Sequence, residues 1–263
     1  MSRILPLIVV VLVALLLLGR AGRERAEPPP AAAPDPVTQS AAATSLDRAP
    51  GTAGQRDSAP TGSATPAIDQ LVILANRQRI DRERRYTYID SLLVSSDSLI
   101  RRWADRNGQP LRVALVETPD LEGWRVMLPT IVRRAFAAWQ EVYPDLRFEV
   151  VAEGEPAEVT VRWIERFELE RTGQTDLQYL PTGTIQRADV ILALTTHDSL
   201  PLRDDGLLAV ATHEVGHALG MPHSASPEDV MYPETRTARI SQRDRATLVL
   251  LYAVAVGTLR LSP

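Results

Sequence analysis

Three histidines, a glutamate and a glycine stand at fixed offsets in Leu207–Met231, which reads LLAVATHEVGHALGMPHSASPEDVM. His213, Glu214, His217, Gly220 and His223 fall in the pattern H-E-x-x-H-x-x-G-x-x-H. On a helix, His213 and His217 lie about 40° apart on one face, one turn above the other. That spacing lets two imidazoles grip one zinc ion, with Glu214 beside the metal. Were the helix to continue, His223 would lie roughly 15 Å along the axis from His213, too far to share the ion. Gly220 supplies the break, because glycine most readily adopts the left-handed residue that ends a helix, and Pro222 then prevents resumption. The turned chain can bring His223 back to the metal. An amphipathic core helix with incidental histidines would not need three of the chain's four histidines at these offsets.

The rest of the composition narrows the chemistry. The chain has 263 residues, no cysteine and a net charge of −4. Disulfides, thiolate catalysis and Cys-ligated zinc are therefore excluded, and any metal must rest on His, Asp or Glu. No basic cluster interleaved with aromatics points to nucleic acid. All 29 basic residues are arginine, which reads as a coding bias rather than a function.

The elements that must position the motif occupy the C-terminal half. Leu111–Val116 and the alternating stretches 146–152 and 158–164 predict strands. Pro129 opens a helix whose stripe is Val132, Ala135, Phe136, Trp139, Val142 and Tyr143, and Pro144 ends it. Residues 165–187 are polar and carry Gly173, Pro181 and Gly183, so they read as a long loop, followed by a strand at 189–194. The motif helix is expected to start near Gly206, with Asp204 and Asp205 as caps. Ser241 and Asp244 form a capping signal for a last helix with Leu248, Leu251, Tyr252 and Ala255 on its apolar face. This order predicts an α+β fold, a small twisted mixed sheet packed on the motif helix, with domain boundaries at 108 and 257.

Three segments precede it. Residues 1–20 hold a basic start and an apolar run, Ile4–Leu18, broken only by Pro6. Its length suits a signal peptide, yet Arg20 and Arg23 disfavour cleavage, so a membrane anchor through residues 4–18 and a cleaved signal both stand. Either way the remainder is expected outside the cytoplasm. Residues 21–66, with eight prolines among Ala, Ser, Thr and Gly, read as a disordered Pro/Ala-rich linker. Residues 67–107 lack proline and glycine until Asn107-Gly108, and Ile89, Leu92, Leu93, Ile100 and Trp103 keep one helical face. One or two helices packing on or beside the domain are expected there, as a stalk or a pro-segment.

HEVGHALGMPHS followed by DVMYP resembles the matrixin branch of the metzincin zinc endopeptidases (peptidase family M10). The branch marks are Gly216, Ser224 directly after the third histidine, and Met231-Tyr232-Pro233 as the methionine turn. AFAAWQEV, LRFEVV and AEVTVRW are similar to the family's first helix and next two strands, so the likeness spans about residues 109–256. It implies one catalytic zinc ion held by His213, His217 and His223, Glu214 as catalytic base, and Met231 beneath the metal. Taken alone, Met231 would be an ordinary core methionine. The resemblance also implies an extended protein or peptide substrate along an edge strand, here expected at Asp189–Leu194, and a specificity pocket lined from Pro233 to about Ile240. Three departures stand against the pattern. Without cysteine the family's cysteine-switch latency cannot operate. With only His197 left outside the motif, its second, structural zinc site cannot be built. No calcium site is recognisable, although Asp176 and the 173–184 loop offer oxygen ligands. Tyr232 directly follows Met231 and is not assigned to zinc.

Two functions are weighed on this basis. One is an exported zinc endopeptidase; the other is a catalytically weak zinc-binding interaction module displayed on a membrane tether. Glu214 disfavours the second, since a structural site would leave that position free and be closed by a fourth ligand. Glu234 could serve as third ligand only if His223 did not. His223→Ala should therefore sharply lower zinc affinity in a metal titration, whereas an unchanged affinity would point to Glu234.

Overall fold

The computed structural model describes residues 65–260, with side chains from residue 69 onward. The expected anchor or signal peptide and nearly all of the linker lie outside the described residues. Among the described residues no helix is long and apolar enough to cross a membrane.

The chain runs through α1 (Thr65–Glu83), a short 3₁₀ turn (Arg84–Tyr86), α2 (Ile89–Ser95), β1 (Leu99–Ile100), β2 (Leu111–Val116), α3 (Leu128–Val142), β3 (Phe148–Val151), β4 (Val159–Ile164), β5 (Gly173–Tyr179), β6 (Ile185–Ala193), α4 (Asp204–Ala218), α5 (Gln242–Ala253) and β7 (Gly257–Thr258). Five strands form one mixed sheet in the order β3-β2-β4-β6-β5. β2, β3, β4 and β6 are parallel, and β5 returns antiparallel to β6. The α+β architecture and mixed sheet agree with the expectation. A parallel pair needs a long crossover, which α3 supplies between β2 and β3. Its buried face, Ile131, Val132, Ala135, Phe136 and Trp139, follows the predicted stripe. α4 packs between α3 and the β5–β6 side of the sheet.

Two strand expectations are corrected. Residues 165–187 are not one loop, because they contain β5 and the start of β6. β5, GQTDLQY, carries almost no apolar side chain, for it is an edge strand that buries little and pairs on one side only. Its polarity hid it from a search for alternating hydrophobic residues. Conversely, the stretch 189–194 expected at the sheet edge is interior: β6 lies between β4 and β5, and residues Val190 to Leu194 are buried without interruption. The edge beside the motif helix is β5.

The cap expectations divide. Ser241 accepts from Asp244 N while the Asp244 carboxylate accepts from Ser241 N, a complete capping box. For α4 the N-cap is Arg203, and Asp204 and Asp205 stand in the first turn, where their charge favours the positive end of the helix dipole without capping it.

The segment 67–107 is helical at first, and its helices do pack on the domain, but the helical period stops at Ser95. Ser95 and Ser96 hydroxyls bond Leu92 O, diverting the backbone. Asp97 and Ser98 then take φ of 55° and 64°, and the chain enters β1. Ile89, Leu92, Ile100 and Trp103 are all buried as expected, though only the first two lie on a helix. They share one core with Leu111, Val161, Leu192 and Leu248, so the core crosses the expected boundary at 107/108. β1 pairs with β7 near the C-terminal end of the described chain, and Asn76 exchanges two hydrogen bonds with the Ala255 backbone. A chain beginning at residue 108 should consequently lose cooperative unfolding in a denaturant titration, while one comprising 65–263 should keep it.

Candidate metal centre and active-site cleft

α4 lays His213 and His217 one turn apart, as the spacing requires. His213 Nδ1 lies 2.8 Å from Val230 O, and His217 Nδ1 lies 2.9 Å from Met221 O. A carbonyl only accepts, so both Nδ1 atoms carry the proton and both Nε2 atoms present a lone pair. The two Nε2 atoms are 3.1 Å apart, and two bare lone pairs at that distance repel unless a cation stands between them. His223 completes the set, its ring centroid 5.3 Å from His213 and 4.7 Å from His217. One nitrogen from each ring falls within 4.8 Å of the others. Nitrogens of a tetrahedral zinc site would lie about 3.3 Å apart at ordinary zinc–nitrogen distances, so the donor set fits zinc. No fourth His, Asp or Glu joins the cluster among the described residues; Glu234 and His197 line the same cleft but stay outside it.

His223 returns because α4 ends in a full Schellman turn. Met221 N donates to Gly216 O at 3.0 Å and Gly220 N to His217 O at 2.8 Å, with Gly220 at φ +91°. A second constraint was hidden from the sequence: a Cβ at Gly220 would come within 2.3 Å of Arg101 O. The remaining carbonyls of the helix end are taken by Trp103 Nε1 to Ala218 O, 2.9 Å, and Tyr252 Oη to Leu219 O, 3.1 Å.

The turn at Met231 packs against the motif helix. Met231 is fully buried, and a Cβ on Gly216 would come within 2.3 Å of its sulfur and 3.0 Å of Trp139. Gly216 is thus the residue that lets Met231 press against the motif helix. The carbonyl that aims His213 belongs to Val230, whose own N–H donates to the fully buried Asp244 carboxylate at 2.8 Å. Asp244 in turn accepts from Tyr88 Oη at 2.6 Å. Next to it, Asp229 accepts from Ser224, from Ser241 at 2.6 Å and from Arg243 at 3.1 Å.

A sequence profile of the matrixins matches residues 115–253. The chain belongs to the matrixin family. Similar relatives include rat macrophage metalloelastase (Rattus norvegicus), 30% identical over 53% of this chain and 31% of the relative. Stromelysin-1 of the horse (Equus caballus) is 31% identical over 46% of this chain and 27% of its own. Cat matrilysin (Felis catus) is 63% identical, over 13% of each. The chain spans less than a third of the length of these curated relatives. Zinc is the catalytic metal of matrixins, and this matrixin domain presents three imidazoles suited to it.

Glu214 lies in the same cleft of about 1100 Å³, bounded by the motif helix, β5 and the Pro233–Thr235 segment. That segment was expected in the specificity pocket; Ile240, the far end of the expected stretch, is instead buried in the core. β5 also holds two residues that sequence reasoning missed. A Cβ at Gly173 would come within 2.3 Å of Glu214 Oε1, so the carboxylate fills the space a side chain would take. Thr175 Oγ1 donates to Glu214 Oε2 at 2.7 Å. The only signal for either was its place in a polar stretch. Burial raises the Glu214 pKa from 4.5 to about 7, against the opposing pull of the Thr175 hydroxyl and the Arg171 charge. Burial likewise depresses His213 to about 4 and His217 to about 3, so both imidazoles stay neutral and able to bind metal well below neutral pH. Asp176 accepts from Gln174 at 2.9 Å, and among the described residues it joins no cluster of three or more His, Asp or Glu side chains.

The Thr175 hydroxyl favours the ionised form of Glu214, so its removal should raise that group's pKa. In Thr175→Val, the acid limb of the kcat/KM profile for peptide cleavage should move to higher pH, with the plateau little changed. An unmoved limb would separate Thr175 from the titration of Glu214.

Proposed function

We propose that this matrixin domain is a zinc endopeptidase acting on proteins outside the cytoplasm, with His213, His217 and His223 as metal ligands and Glu214 as general base. The observation that carries the reading is the convergence of three neutral imidazoles and a buried carboxylate in a cleft beside an unpaired strand edge. Zinc bound by three imidazoles supplies Lewis acidity and lowers the pKa of water at its open position.

The chain's own residues do the rest. A carboxylate whose pKa is near neutral can accept a proton from the attacking water and later release it to the leaving amine. Glu214 is suited to both halves because it is buried against Gly173, yet still hydrogen-bonded by Thr175. The outer edge of β5 is unpaired in the sheet, so an extended peptide can add there as a further strand, its backbone bonded and its scissile bond held over Glu214. Pro233–Thr235 form the opposite wall, where a substrate side chain would enter. Met231 and Gly216 give the ligand helix a firm floor, which matters because catalytic geometry tolerates displacements of well under an ångström.

Export is the reading of Ile4–Leu18, as an anchor that would tether the domain to a membrane or as a signal that would release it. The interaction-module alternative has less support, because among the described residues no fourth His, Asp or Glu joins the metal cluster and Glu214 is held toward the cleft. Glu214→Gln should keep stoichiometric zinc by elemental analysis and lose cleavage of unfolded protein by several orders of magnitude. Undiminished cleavage in that variant would sink the mechanism.

A further inference from the structure

One end of the cleft carries a group that the metal centre does not use. Arg101 lies between β1 and Trp103, on a backbone clamped from two sides. Its carbonyl presses on Gly220 at the end of the motif helix. The adjacent Arg102 bonds to the β5–β6 turn, through Arg102 N to Gly183 O at 3.2 Å and Ile185 N to Arg102 O at 2.9 Å. From this fixed point the Arg101 side chain runs over Tyr179, its guanidinium carbon 5.0 Å from the ring centroid, and both residues line the cleft. Arg101 is partly buried. Among the described residues no carboxylate lies within ion-pair distance of it. Its neighbour Arg102, by contrast, pairs with Asp105 at 3.1 Å and bonds two backbone carbonyls. A guanidinium aligned by an aromatic ring, facing a concave surface and lacking an anion of its own, is a receptor for a carboxylate.

The position along the strand says which carboxylate. Tyr179 is the last residue of β5, four residues beyond the Thr175 that touches Glu214. At strand spacing that is roughly 13 Å. A peptide added to the β5 edge with its scissile bond at Glu214 therefore carries a side chain three or four residues away past Arg101.

We propose that Arg101, stacked on Tyr179, is a specificity-determining subsite for an aspartate or glutamate of the substrate, three or four residues from the scissile bond. This rests on the endopeptidase reading. Arg101 precedes residues 115–253, so the guanidinium of the subsite is supplied by a part of the chain that the family match does not cover, while Tyr179 lies within it.

The test uses the zinc-loaded full chain in two arms. In the first, a peptide library carries Asp/Asn and Glu/Gln pairs at each position within four residues of the cleaved bond. The wild type should prefer the acid at one such position by about fivefold, the size of one partly exposed ion pair. Arg101→Glu should abolish that preference or turn it toward Lys and Arg, lowering cleavage of acidic peptides more than that of all-neutral ones, and Arg101→Lys should retain part of it. In the second arm, fluorescence anisotropy compares acidic and amide peptides on Glu214→Gln, with and without Arg101→Glu, so that selectivity is read without hydrolysis. Identical profiles for wild type and Arg101→Glu in both arms overturn the proposal. So does an equal loss for acidic and neutral peptides, which would assign Arg101 to folding alone. If nothing is cut while Glu214→Gln still selects the acidic peptide through Arg101, the endopeptidase reading fails and the subsite stands.

Discussion

Three lone pairs aimed at one point repel one another, and much of this domain exists to hold them there. The aim is set through the far side of two rings, where Val230 O and Met221 O accept the Nδ1 protons of His213 and His217. Both acceptors are backbone atoms of the loop that follows the motif helix. The geometry of the centre therefore depends on the path of residues 219–231 as much as on the helix. The Schellman turn at Gly220 fixes the first part of that path, and Asp244, reaching from α5 to Val230 N, fixes the last.

A metal centre built this way needs support behind it, and part of that support comes from before the family's span. Trp103 takes a carbonyl at the end of α4, Arg101 O closes against Gly220, and Tyr88 holds the carboxylate that holds Val230. The Trp103 and Tyr88 hydrogen bonds each satisfy a buried polar group that would otherwise cost roughly 1–3 kcal/mol, whereas Arg101 O acts on Gly220 by packing alone. The burial that stabilises the loop also keeps the imidazoles neutral and raises Glu214, so packing and chemistry draw on the same exclusion of water.

The legible parts of the sequence were those where one residue type has one physical use. His213, Glu214, His217, Gly220 and His223 declared themselves by spacing, and Ser241 with Asp244 by capping chemistry. The α3 stripe and β2 and β4 followed from periodicity, because each buries one face. What stayed hidden depended on partners distant in the chain. β5 is polar because it is an edge, so Gly173 and Thr175 had no pattern to stand out from. Five of the apolar residues from Ile89 to Trp103 fit one helical face in the sequence. Four are buried and Leu93 is partly so, yet the serines at 95 and 96 end the helix locally and the burial is achieved by other elements.

The open edge of β5 has a further consequence. A row of unpaired backbone donors and acceptors is a template for any extended chain, including a partly unfolded copy of this one. β5 answers that hazard in its side chains: Gln174, Asp176 and Gln178 put amides and a carboxylate on a strand of only seven residues, and none offers a dry surface for a second sheet. Such an edge can hold a passing peptide by its backbone while giving a growing aggregate little apolar surface to bury.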